Sequence, residues 1–113
     1  MNLDELPGAD LILPGIDDLR QGRINTVGAL LIAIAFTRLR NAGLAIPDVP
    51  RASEPELTLY AQLKAQRSDA YLYYNALLDS LNSFCNALEL RARLSRSDWR
   101  DGANSTVNLE SIP

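Results

Sequence analysis

Between Val27 and Phe36 no polar side chain interrupts the chain. An apolar run of this kind fits a buried strand or a buried helix equally well, so its length and its ends decide. Asn25 and Thr26 are N-cap types, Arg38 and Arg40 put cations where a helix dipole favours them, and Gly43 stands where a left-handed residue closes a helix. The pattern therefore predicts a helix over 25–42, apolar on all sides, which other helices must enclose. It is too short for a membrane span, which needs about 20 apolar residues, and Arg23 and Arg38 bound it.

Gly28, Ala35 and Ala42 recur every seven residues along this helix, with Ile32 and Leu39 between them. Small side chains in such a row let two backbones approach closely. A tight crossing inside one chain is the favoured reading, and Gly28, Ile32, Ala35 and Leu39 are the self-association residues if the face instead meets a second copy or a partner.

The clearest periodicity lies further on. Ala70, Tyr74, Leu77, Leu81, Phe84 and Leu88 step by four and three residues, with Leu78, Cys85 and Ala92 widening the seam. Asn75, Asp79, Asn82, Asn86, Glu89 and Arg93 follow the same steps on the opposite side. A long amphipathic helix over 69–95 follows, its polar stripe read as a solvated face. A shorter helix over 54–67 precedes it, started by Ser53, Pro55 and Glu56 and carrying a narrow stripe of Leu57, Tyr60, Ala61 and Leu63.

The remaining segments lack these periods. Residues 1–15 hold Pro7-Gly8 and Pro14-Gly15 around Leu11-Ile12-Leu13, the punctuation of an extended arm with turns. Asp17 and Asp18 are read as capping a short helical segment that stops at Gly22, or that merges with the main helix. Three of the six prolines fall in 44–55, a connection of about ten residues. Residues 97–113 are rich in Ser, Asn, Asp and Gly and read as a loose tail, in which Trp99 is expected to pack on the protein's own assembly.

The expected fold is all-α: a helical core over 16–96 with three main helices, an arm over 1–15 and a tail over 97–113. Three helices enclose a fully apolar one poorly, so two chains are expected to share a core about a two-fold axis.

Composition narrows the function classes. At 113 residues and 47% hydrophobic side chains the chain suits one domain. Its net charge of -3 argues against a surface built wholly for nucleic acid. It holds no histidine, which removes the commonest general base and metal ligand. Neither paired cysteines nor a phosphate-cradling glycine loop occurs. The expectation is a non-enzymatic protein without cofactor or bound metal. The single Cys85 points to a reducing, cytoplasmic home, and the acidic opening residues do not resemble a secretory signal.

Two features invite a functional reading. Tyr60, Tyr71, Tyr73 and Tyr74 gather at the junction of the second and third helices, where three nearly consecutive tyrosines cannot all face one core. Tyr71, Tyr74 and Trp99 are the expected contacts to an unknown protein partner. Arg91, Arg93, Arg96 and Arg100 form the one concentrated basic feature. They are the residues for the alternative, a nucleic-acid-binding accessory protein; against it, cations at a helix C-terminus are ordinary dipole partners. The leading expectation is a small helical interaction or regulatory module, acting as a homodimer.

Overall fold

The computed structural model describes residues 3–103, with side chains through Ser95. Among them there is no strand. Five helices follow a short turn at Leu3–Glu5: α1 (Ala9–Arg20), α2 (Val27–Ile34), α3 (Phe36–Asn41), α4 (Pro55–Gln66) and α5 (Ala70–Ala103). The class is all-α, as the periodicities imply, but two elements differ from the three expected.

The first difference is the arm. Where an extended arm is expected over 1–15, Leu3–Glu5 form a turn and residues 9–20 are helical, residues 1 and 2 lying outside the described residues. Leu11 and Leu13 suggested alternation, but Leu6, Ala9, Ile12 and Leu19 are the buried positions, at helical spacing. Pro14 sits inside α1, where it removes one backbone donor, and the buried face around it outweighs that loss. Gly8, at φ 81, opens the helix, and its carbonyl accepts from Leu11 and Ile12.

Gly22 ends α1 in the same left-handed region, with Gly22 N–H donating to the Leu19 carbonyl and Arg23 N–H to that of Asp18. The two helices therefore do not merge. Asp17 and Asp18, expected at a helix start, occupy the last turns of α1 instead. The dipole there disfavours carboxylates. Asp18 is held by neighbours: Arg23 donates to it at 2.8 Å and the Thr26 hydroxyl at 2.7 Å. Thr26 is also the N-cap of α2, accepting from Ala29 N–H. One hydroxyl thus ties the end of α1 to the start of α2.

The second difference is that the apolar helix is two helices. Ala35, at φ −110 and ψ 27, separates α2 from α3. Gly43 closes α3 as expected, at φ 101, with Leu44 N–H reaching back to the Leu39 carbonyl. Ala29, Leu30, Leu31 and Ile32 are fully buried within one chain, because α1 and α4 pack against α2. α1 thus supplies a wall over Ala29 to Ile32 that the three expected helices lacked. Ile34 and Phe36 remain half-buried.

In α4, Pro55 opens the first turn, but Glu54 rather than Ser53 takes the N-cap position. Leu59 and Leu63 face the core, whereas Leu57, expected in the buried stripe, is 65% exposed. The seam of α5 is as read: Ala70, Leu77, Leu81, Phe84, Cys85 and Leu88 are buried. The helix runs on to Ala103, so the tail expected from 97 starts as helix, and positions 104–113 lie outside the described residues.

Candidate functional site

The small residues of the apolar segment lie inside the molecule. A Cβ added at Gly15 would fall 2.3 Å from the Gly28 carbonyl carbon, and one at Gly28 would fall 2.9 Å from the Gly15 Cα. The backbones of α1 and α2 therefore touch at this pair of glycines. Gly28, Ile32 and Leu39 are buried in their own chain, and Ala35 is half-buried at the break between α2 and α3. Of the two readings of this face, the crossing within one chain is the one seen at Gly28. Gly15 is the mate that sequence reading missed, because Pro14-Gly15 reads as a turn.

The polar stripe of α5 is not simply solvated. Arg38, on α3, donates through Nε to Glu89 Oε2 at 2.7 Å and through Nη2 to Glu89 Oε1 at 2.9 Å. Its remaining donors reach Asn82 Oδ1 at 2.8 Å and Asn86 Oδ1 at 2.5 Å. One planar guanidinium thus clamps three residues spaced over two turns of α5. The hydrogen bond from Arg38 holds the Glu89 carboxyl below its ordinary range, with the charge of Arg93 assisting. The spacing of Asn82, Asn86 and Glu89 was legible in the sequence. Their partner was not, because it comes from a distant helix.

Beside the clamp, the break at Ala35 leaves a cleft of about 520 Å³ between the α2–α3 junction and α5. Ala33, Ile34, Ala35, Phe36, Leu78, Leu81 and Cys85 form its apolar lining, and Thr37, Arg38 and Asn82 are its polar groups. Cys85 is buried, and desolvation raises its thiol pKa while the Arg38 charge opposes. Such a thiol is a packing group rather than a nucleophile.

The tyrosines are brought together on the outside. Glu56, Leu57, Tyr60, Tyr71 and Tyr74 line a groove of about 290 Å³ between α4 and α5. Tyr60 and Tyr74 meet edge to face with ring centroids 5.4 Å apart, and burial pushes the Tyr74 hydroxyl pKa up. Tyr71 is 64% exposed and Leu72 71%. Tyr73 carries the Arg67 guanidinium 3.9 Å above its ring. Leu57 and Tyr71 thus leave exposed apolar surface on the two walls of one groove.

The arginines are not gathered in the same way. Arg93 is exposed on a recess shared with Arg38, Asn41 and Glu89, whereas Arg91 lines a different one with Leu3, Gly43 and Leu88. The side chains of Arg96, Trp99 and Arg100 lie outside the described residues. Among the described residues no group of His, Cys, Asp and Glu could hold a metal ion, and no helix is long and apolar enough to cross a membrane. Compared with protein-family models, curated proteins and solved structures, the chain matches none of them significantly.

Proposed function

We propose that this protein is a non-enzymatic helical interaction module that pairs with a second copy of itself through the α4–α5 hairpin. The observation that carries the reading is the exposure of Leu57 and Tyr71 at the tyrosine groove, since large apolar side chains at one place mark an interface. The hairpin is also self-complementary in charge. Glu54 and Glu56 stand at the start of α4, and Lys64 and Arg67 at its end. Across a two-fold axis the acidic start of one α4 faces Lys64 of the other, Arg67 being held already by Asp69. The dimer surface is therefore assigned to the tyrosines and Leu57 and not to the Gly28 face. The free thiol of Cys85 suits a reducing, cytoplasmic setting.

Sedimentation equilibrium across micromolar concentrations tests this. The wild-type chain is expected to dimerise, and Leu57→Asp with Tyr71→Asp to be monomeric with an unchanged helical circular dichroism spectrum. A wild-type monomer at the highest concentration, or a dimer indifferent to both substitutions, overturns the reading.

A further inference from the structure

The cleft at the α2–α3 break leaves α3 without close packing at its first turn. Protein interiors are filled to the density of organic crystals, yet a space of about 520 Å³ lies between the residues around Ala35 and Phe36 and those at Leu78, Asn82 and Cys85. Ile34, Ala35 and Phe36 accordingly stay half-buried, and of the six residues of α3 Leu39 alone is buried. Both ends of α3 are also joints. At its start Ala35 departs from helical geometry, at φ −110 and ψ 27, and after its end Gly43 holds φ 101 with open space where a Cβ would stand. Small residues at the ends of an element are where a chain absorbs a hinge rotation.

Two residues fasten α3 to the rest of the molecule: Leu39 by burial, and Arg38 by its bonds to Asn82, Asn86 and Glu89 on α5. Asn82 and Glu89 stand three residues before Cys85 and four after it, so they share its side of the helix. The guanidinium that bonds to both therefore lies across the turn that carries the thiol. Cys85 lines the same cleft and is 1% exposed.

We propose that α3 is a hinged lid over this stretch of α5, turning about Ala35 and Gly43, with the Arg38 clamp as its latch. The latch is an ion pair partly in water, so salt loosens it. When it parts, α3 swings away from Cys85 while the α1–α2 crossing and the α4–α5 hairpin stay folded, an opening smaller than unfolding of the whole chain. The lid is independent of pairing through α4 and α5, because it uses no residue of the tyrosine groove.

The rate at which iodoacetamide labels Cys85, the single cysteine of the full chain, tests this. Arg38→Gln is expected to raise the rate about fivefold and Glu89→Gln about threefold, with circular dichroism reporting that each variant is folded. The wild-type rate should rise about threefold from dilute buffer to about 1 M salt, and that of Arg38→Gln should not respond. Loss of the Arg38 charge would by itself raise the thiol pKa and slow alkylation, so acceleration reports exposure. Thr26→Ala weakens the fold at the α1–α2 corner, away from the lid, and should change the rate by less than about twofold. Equal acceleration by Thr26→Ala and Arg38→Gln would mean that the thiol is reached by unfolding of the whole chain and overturns the proposal. A rate indifferent to Arg38→Gln, to Glu89→Gln and to salt would mean that the clamp latches nothing and overturns it equally.

Discussion

The α1–α2 crossing and the α4–α5 hairpin treat their contacts in opposite ways. At the crossing, Gly15 and Gly28 let two backbones touch, and Ala29 to Ile32 are removed from water entirely. At the hairpin, Leu59 and Leu63 face inward while Leu57, Tyr71 and Leu72 point out. The crossing is a finished interior with no tolerance for added atoms. The hairpin is a finished fold with an unfinished surface. Substitutions at the first should therefore change stability, and substitutions at the second association.

The sharpest way to break this contrast is Gly15→Ala. Its Cβ meets main-chain atoms of Gly28 that cannot rotate away, so a loss of about 3 kcal/mol in urea unfolding is expected. A near-neutral result would mean that the helices do not cross there.

The corner between α1 and α2 comes next. Thr26→Ala removes the N-cap bond to Ala29 and should cost about 1 kcal/mol. Asp18 at the same corner has its pKa lowered from 3.8, first by the hydrogen bond from Arg23 and then by that from Thr26. A depressed carboxyl adds stability that is complete above its unfolded pKa and is lost as pH falls through the folded one. The melting temperature should accordingly begin to decline near pH 4 and fall further below it, and Asp18→Asn should flatten that decline.

Arg38→Gln releases the clamp on Asn82, Asn86 and Glu89. Arg38 and Glu89 are about one-third exposed at 37% and 32%, so solvent and salt screen the pair. A fall in melting temperature of about 3 °C, shrinking in high salt, is expected. The smallest effect belongs to the hairpin: Leu72→Ser should leave the unfolding free energy of the monomer within about 0.5 kcal/mol of wild type. A large loss there would show that Leu72 supports the fold and would blur the comparison.

Local order was legible where it repeats or caps. The seam of α5 from Ala70 to Leu88, the N-cap at Thr26, the stop at Gly43 and the opening of α4 at Pro55 all depend on neighbours within a turn or two, so spacing alone reveals them. α1 escaped because Pro7-Gly8 and Pro14-Gly15 carry turn signals in a stretch whose helix is stabilised by what it packs on. Propensity is a weak guide when tertiary burial outweighs it. Leu57 was misread for a related reason: in a short helix with few apolar residues, a modest rotation of the inferred stripe exchanges inside for outside. Of the candidate site, the tyrosines were visible as a cluster, but the groove they form needs α4 beside α5.

The sequence by itself determined that this chain is helical, where its strongest helix turns its seam, and that its middle must be enclosed, because these follow from hydrophobic spacing and from capping between near neighbours. Only the tertiary structure decided what does the enclosing. Gly15 finds Gly28, and Arg38 finds Asn82, Asn86 and Glu89, through contacts between separate helices whose geometry no local pattern encodes. The same packing left Leu57, Tyr71 and Leu72 in water and opened the cleft beside Phe36.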